Sequence, residues 1–196
     1  LVKAAEMIDW KKRWHPRGES GAGVVKRGLG VGFGTWGGAG HASQCRAVIH
    51  GNGSVEVELG SQDLGTGTRT IIAMVAAETL GLPVQAIRVN IGDNKYPPSG
   101  SSGGSTTVGG VSTSTLKATT NALARLFELV APGLGVPADQ LEAAEGRIRV
   151  KGTPAKSITW GAACRKLGAK TISEMGENNP KLAPKEGVIT GGVGGV

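Results

Sequence analysis

Cysteine, histidine and aromatic residues are scarce in this 196-residue sequence, and no long apolar run crosses it. The two cysteines, Cys45 and Cys164, stand far apart with no Cys-x-x-Cys, which excludes a disulfide framework and a zinc cluster. The three histidines, His15, His41 and His50, form no His-x-x-x-His pattern, so no metal site built from protein side chains is expected. Apolar runs such as Ile71 to Ala77 fall far short of the roughly 18 residues of a spanning helix. No membrane span is therefore expected. Aromatics are 4% of the chain and the basic residues are spread along it, a pattern unlike a nucleic-acid-binding surface, which clusters both. The net charge of +7 invites phosphate-bearing partners without choosing among them.

Glycine is plentiful, at 34 residues, yet no Gly-X-Y period runs through the chain, which excludes collagen and leaves a globular composition. Residues 1 to 14 read as a helix ended by His15-Pro16. They carry charges among the apolar side chains and no initiator methionine, and residues 188 to 196 stop in mid-pattern, so a piece of a longer protein is expected. Short β-like runs follow over residues 24–36, 42–50 and 54–60. In the last, Val55, Val57 and Leu59 alternate with Glu56 and Glu58, and Asn52-Gly53 predicts a hairpin turn before it. Residues 68–80 predict a helix stopped by Gly81 and Pro83, and 84–91 a strand. After Thr107 a long amphipathic helix is expected to about Val130, with Leu116, Leu123, Phe127 and Val130 on one stripe and Pro132-Gly133 as its stop. A short helix near 138–143, a strand over 147–151, a helix over 159–167 and a weakly structured end complete the expectations.

Three glycine-rich loops stand out, at residues 28–40, 60–68 and 99–110, and the last two each feed a helix. Small residues before a helix leave backbone N–H groups and the positive end of the helix dipole open to phosphate oxygens. The alternative is that the glycines only permit tight turns. Gly32-x-Gly34-x-x-Gly37 matches a dinucleotide fingerprint as a string, but a strand rather than a helix is expected after it, so that reading is rejected. No loop places a lysine where a P-loop needs one.

The run Lys26-Arg27-Gly28-Leu29-Gly30-Val31-Gly32, the hairpin Gly51-Asn52-Gly53-Ser54-Val55, the loop Gly60-Ser61-Gln62-Asp63-Leu64-Gly65-Thr66-Gly67-Thr68 and Ala77-Glu78-Thr79-Leu80-Gly81-Leu82-Pro83 follow in an order and spacing that carries a resemblance. Together with Gly92-Asp93, Pro97-Pro98 and Gly103-Gly104-Ser105-Thr106-Thr107, they resemble the molybdenum-binding subunit of the xanthine dehydrogenase and aldehyde oxidase family, in its bacterial aldehyde-oxidising branch. The resemblance is strong from Lys26 to about Leu126 and weak elsewhere. It implies an α+β fold, with helices packed on a mixed sheet and the glycine loops at one rim. Residues 1–23 would be a helix and linker from the preceding region, and 24–196 a partial molybdenum cofactor-binding domain.

The resemblance also implies the chemistry of a molybdenum hydroxylase, which oxidises aldehydes or N-heterocycles with water as the oxygen source. The cofactor would be molybdopterin cytosine dinucleotide, or molybdopterin itself, carrying Mo. Electrons would leave to partner subunits that hold iron–sulfur clusters and FAD. Its cofactor-binding residues carry over to Gly65, Thr66 and Gly67 in the first loop and Gly103, Gly104, Ser105 and Thr106 in the second. Thr66 stands where the family commonly has glutamine beside the metal, and a threonine hydroxyl reaches less far than an amide. The family's base is a glutamate in a Gly-x-Gly-Glu motif near the end of the full subunit. Gly191-Gly192-Val193-Gly194-Gly195 has the glycines without the acid, and Glu177 imitates the motif only locally, so the catalytic residue is expected beyond this sequence. The rival reading is a non-catalytic phosphate- or nucleotide-binding module, or an inactive fragment.

Overall fold

The computed structural model describes residues 1–32 and 40–180. The chain divides into two compact units, residues 1–36 and 37–196. In the first unit the expected single helix is two short ones, α1 (Val2–Met7) and α2 (Trp10–Arg13), separated at Asp9, which adopts the left-handed conformation with φ 53°. Neither helix buries a residue, so no packed face holds one longer helix against the cost of nucleating it. The strand expected over 24–36 is not formed in its described part, residues 24–32. Val24, Val25 and Val31 are exposed and no strand among the described residues pairs with them, which leaves the run without the ladder a strand requires.

The second unit is built on a four-stranded mixed sheet. Its strands are β1 (Ser43–His50), β2 (Val55–Leu59), β3 (Ile87–Ile91) and, entering last in the chain, β7 (Thr171–Asn178), in the order β3-β2-β1-β7. β1 pairs antiparallel with β2 across the predicted hairpin, where the Asn52 side-chain oxygen accepts the Ser54 N–H at 2.9 Å. β2 then crosses through α3 (Thr68–Leu80) to the parallel β3. Cys45, Ala47 and Ile49 of β1 and Val55, Val57 and Leu59 of β2 face one side and are buried. α3 ends as predicted, at Gly81 with φ 63°. The strand expected from residue 84 opens instead with one 3-10 turn, Val84–Ala86.

α4 (Thr107–Leu134) lies over β1 and β7 and against α3. It runs through Pro132, where a stop was expected, and closes at Gly135 with φ 61°. Proline costs the last turn one hydrogen bond, while Val130 and Ala131 are still buried there and hold it. Of the expected stripe, Leu123 and Val130 are buried and Phe127 packs against the core, while Leu116 is 50% exposed; Val111, Ser114, Thr115, Ala118, Thr119 and Ala122 share the inner face. Small residues are needed because β7 runs very close. A Cβ at Gly176 would overlap the Ala118 nitrogen and the Ser114 carbonyl. The buried Thr119 hydroxyl spends its proton inside the helix, donating to the Thr115 carbonyl at 2.8 Å.

A smaller antiparallel sheet follows, β4 (Leu141–Ala144), β5 (Arg147–Val150) and β6 (Thr153–Thr159). The short helix expected near 138–143 is only a 3-10 turn, Ala138–Gln140, before β4 pairs with β5. α5 (Trp160–Arg165) is capped by the Thr159 hydroxyl, and the Trp160 indole N–H donates to the Gly53 carbonyl at 2.9 Å. The end expected to be weakly structured is a strand over 171–178, since β7 pairs with all of β1. Residues 181–196, and with them the 188–196 glycine run, lie outside the described residues.

Candidate functional site

The antiparallel register puts the start of β1, the end of β2, the segment after β3 and the end of β7 at one rim of the sheet. Gly60 N–H donates to the Pro97 carbonyl at 2.7 Å, Gln44 N–H to the Pro98 carbonyl at 2.8 Å, and Ser43 bridges to Ser99. The loop of residues 60–68 and the loop of residues 99–106 are thereby neighbours. One side-chain bond joins them directly, the Ser102 hydroxyl donating to the Gln62 carbonyl oxygen at 3.0 Å.

The first loop folds around Asp63. Its carboxylate accepts the N–H groups of Gly65 at 3.0 Å, Gly67 at 3.2 Å and Arg69 at 3.0 Å. Gly65 and Gly67 have φ of 90° and 81°, a conformation that favours glycine and turns their N–H groups inward. These bonds, that to Arg69 first, hold the Asp63 carboxyl below its ordinary pKa. The loop does not offer a ring of free N–H groups to an outside phosphate, as its composition suggested, because an internal carboxylate already occupies the first turn of α3. Thr66 sits exposed at the tip. At the two ends of the loop, the Ser61 and Thr68 hydroxyls are buried without a hydrogen-bond partner among the described residues.

The second loop is open where the first is closed. Gly104 and Ser105 take φ of 62° and 60°, and the Thr106 hydroxyl donates to the Gly103 carbonyl at 2.8 Å. That hydroxyl is turned back into the loop, and α4 begins with no side-chain cap. The first N–H groups of a helix have no partner within it, so this end presents donors and positive dipole to the rim. A Cβ placed on Gly103 would meet no atom of the described residues within 4 Å. Gly103, Gly104 and Ser105 are exposed, and Thr106 is half-buried.

His41 belongs to the same rim and was not singled out from the sequence. Its backbone N–H donates to the Thr106 carbonyl at 3.1 Å, and its ring lies within 3.2 Å of both the Ser101 carbonyl and the Ser99 hydroxyl. A histidine outside any metal spacing gives no local signal, and its partners lie about sixty positions along the chain. Glu177 is exposed on β7, where its main-chain oxygen accepts the Lys117 ammonium at 2.8 Å, and no described contact brings it to the loops. In the loop of 28–40, residues 33–39 lie outside the described residues, and a Cβ at Gly28, Gly30 or Gly32 would meet no described atom within 4 Å.

These features fit a bulky anionic group: an uncapped helix end, hydroxyls in need of a partner and space at Gly103. Among the described residues no group of three or more His, Cys, Asp or Glu could hold a metal ion. A metal at this rim would have to bring its own ligands.

Comparisons with known proteins bear on the family and the fold. The family model described as "Molybdopterin cofactor-binding domain" matches residues 3–188. The aldehyde oxidoreductase molybdenum-binding subunit PaoC of Escherichia coli K12 is 34% identical over 176 residues, which are 90% of this chain and 23% of that protein. The chain thus spans about a quarter of the length of this relative. The crystal structure of quinoline 2-oxidoreductase from Pseudomonas putida 86 superposes with a TM-score of 0.66 at 20% identity, over 71% of this chain and 19% of that one. Reconstituted CO dehydrogenase from Oligotropha carboxidovorans gives 0.59 at 26% identity, over 69% and 18%. With a match along most of its length and a rim suited to an anionic cofactor, this chain belongs to the molybdopterin cofactor-binding domain family of the molybdenum oxidoreductases.

Proposed function

We propose that this chain forms one wall of the cofactor site in the molybdenum-binding subunit of an oxidoreductase that acts on aldehydes or N-heterocycles. The observation that carries this reading is the Ser102–Gln62 bond, which joins the two glycine loops beside the uncapped start of α4. In this site Gly65, Thr66 and Gly67 offer an exposed hydroxyl on a loop stiffened by Asp63. Gly103 and Gly104 leave room for a planar ring system, and the α4 start with Ser105 and Thr106 offers donors to its phosphates. When bound, the molybdopterin group supplies the redox centre, and water supplies the oxygen inserted into the substrate. The chain's own part is to orient that group and to hold its anionic oxygens.

The name of PaoC supports an aldehyde as substrate, and that of quinoline 2-oxidoreductase an N-heterocycle. The word subunit in the first supports partner chains, to which we assign the iron–sulfur clusters and FAD. We assign the cytosine dinucleotide form to the cofactor. The rival nucleotide-binding reading is weakened by Asp63, which takes the very N–H groups that a nucleotide phosphate would use in the first loop.

Metal and nucleotide analysis of the full-length subunit tests the proposal. Stoichiometric molybdenum, with a cytosine nucleotide released on acid hydrolysis, is the expected result. Absence of molybdenum together with tight binding of free nucleotides would replace it with the rival reading.

A further inference from the structure

We infer that His41 is the positioning residue of the second glycine loop, and through that loop of the cofactor; the second half of this inference rests on the function proposed above. Three bonds from one residue fix the loop at three points. The His41 N–H holds the Thr106 carbonyl at the loop's end, Nδ1 meets the Ser101 carbonyl at its middle, and Nε2 meets the Ser99 hydroxyl at its start. A carbonyl oxygen can only accept, so Nδ1 carries the proton on that side.

The ring is anchored in turn. The Ser99 hydroxyl lies 2.9 Å from that of Ser43, and Ser43 meets the buried Ser114 hydroxyl of α4 at 3.0 Å, so the contact at Nε2 continues into the core under the helix. The Asn178 amide of β7 donates to the His41 carbonyl at 2.7 Å. Two glycines make the space. A Cβ at Gly100 would stand 2.9 Å from the His41 Cβ, and one at Gly110 would overlap the ring. The absence of side chains at 100 and 110 is therefore explained by a histidine rather than by a ligand. The open space at Gly103 is of another kind, since nothing of this chain's described residues fills it. His41 reaches the loop from its inner side and leaves the exposed residues 103–105 free.

The experiment compares His41→Leu and His41→Asn with the wild type in the full-length subunit. Leucine fills the space without a donor, whereas asparagine returns a donor to the position of Nδ1 and gives up the contact to Ser99. Hydrogen exchange is followed in cofactor-free protein at the amide of residue 41, bonded to the Thr106 carbonyl, and at that of Gly100, which donates to the Ala42 carbonyl at 2.9 Å, with Val57 and Leu59 of β2 as reporters of the fold. Molybdenum per subunit is measured after cofactor loading. His41→Leu should speed exchange at 41 and 100 about tenfold, the effect of losing one to two ordinary hydrogen bonds on a local opening. It should lower the molybdenum content, with β2 unchanged, and His41→Asn, which returns only one of the two ring contacts, should show a smaller rise of about threefold and a smaller loss of metal.

Unchanged exchange at 41 and 100 in His41→Leu would overturn the inference. Faster exchange with wild-type molybdenum content would instead overturn the assignment of this loop to the cofactor. Should His41→Leu fail to fold, His41→Asn decides alone: a rise of about threefold confined to 41 and 100 supports the inference, and no rise overturns it.

Discussion

The Asp63 carboxylate accepts the backbone N–H of Arg69 at 3.0 Å, while the Arg69 guanidinium reaches the main-chain oxygens of Val89 at 3.0 Å and Ile91 at 3.3 Å on β3. One residue thus ties the first glycine loop to the outer strand of the sheet. β3 has β2 on one side only, so its far edge gains from side-chain donors that cover its carbonyls. Removing Asp63 should loosen the loop and the register of Arg69 together.

Asp63→Ala is expected to raise the proteolytic sensitivity of residues 60–68 and to lower the melting temperature at neutral pH. The sign of the pH effect follows from the direction of the shift. The folded-state pKa of Asp63 is depressed, so its contribution is fully present above the unfolded carboxylate value of about 3.9 and is lost as pH falls through the lower folded value. Melting curves of wild type and Asp63→Ala should differ at pH 7 and converge in strong acid. A constant difference across that range would mean that the carboxylate charge is not what holds the loop.

Gly176→Ala should be among the most damaging single-methyl changes in the protein. Its Cβ would overlap backbone atoms of Ser114 and Ala118, which cannot turn aside as a flexible side chain can. A cost of about 3 kcal/mol is expected, at the upper end of ordinary overpacking. Urea unfolding measures it, and Gly152→Asn is the control: Gly152 has φ 73° but open space, so only the smaller conformational penalty applies there.

The same position shows why β7 was illegible in the sequence. A strand is recognised by an apolar face, but the buried positions of β7 are Ile172 and Gly176, and glycine is there because α4 leaves no room. The hairpin and α3 were legible because their signals are local: Val55, Val57 and Leu59 alternate, and Gly67 and Gly81 bound the helix. α4 was legible in existence and, towards its end, in orientation, since Leu123 and Val130 are buried as expected; nearer its start the inner face is chosen by closeness to β7 and takes Ser114, Ala118 and Ala122 while Leu116 stays outside. At the rim, composition marked both loops. It could not show that Asp63 spends the N–H groups of the first, or that His41 reaches the second across the fold.

Both cysteines should be unreactive in the native state. Burial pushes the Cys45 thiol up to about 12 and the Cys164 thiol to about 11, so neither is a thiolate at neutral pH. No labelling of Cys45 or Cys164 by a thiol reagent at pH 7.5 is expected without denaturant, and full labelling of both in urea. Rapid native labelling of Cys45 would mean that α4 opens from the sheet far more readily than its packing implies.

The rim itself is tested by substitutions whose effects on this chain alone follow from their surroundings. Gly103→Val meets nothing from the described chain, so a loss of molybdenum from this variant of the full-length subunit reports on a group outside those residues. Gly104→Val is less clean, because φ is 62° there and valine strains the loop whatever binds it. Thr66 is exposed, so Thr66→Val should change stability by less than about 0.5 kcal/mol. If its hydroxyl faces the metal's ligands, turnover should fall while molybdenum content stays near normal. Gly133→Val, on the exposed last turn of α4 and away from the rim, should leave metal content unchanged. The expected pattern is metal loss in Gly103→Val, rate loss without metal loss in Thr66→Val, and neither in Gly133→Val. Wild-type metal content and turnover in both Gly103→Val and Thr66→Val would reduce the two loops to turns and remove the cofactor from this rim.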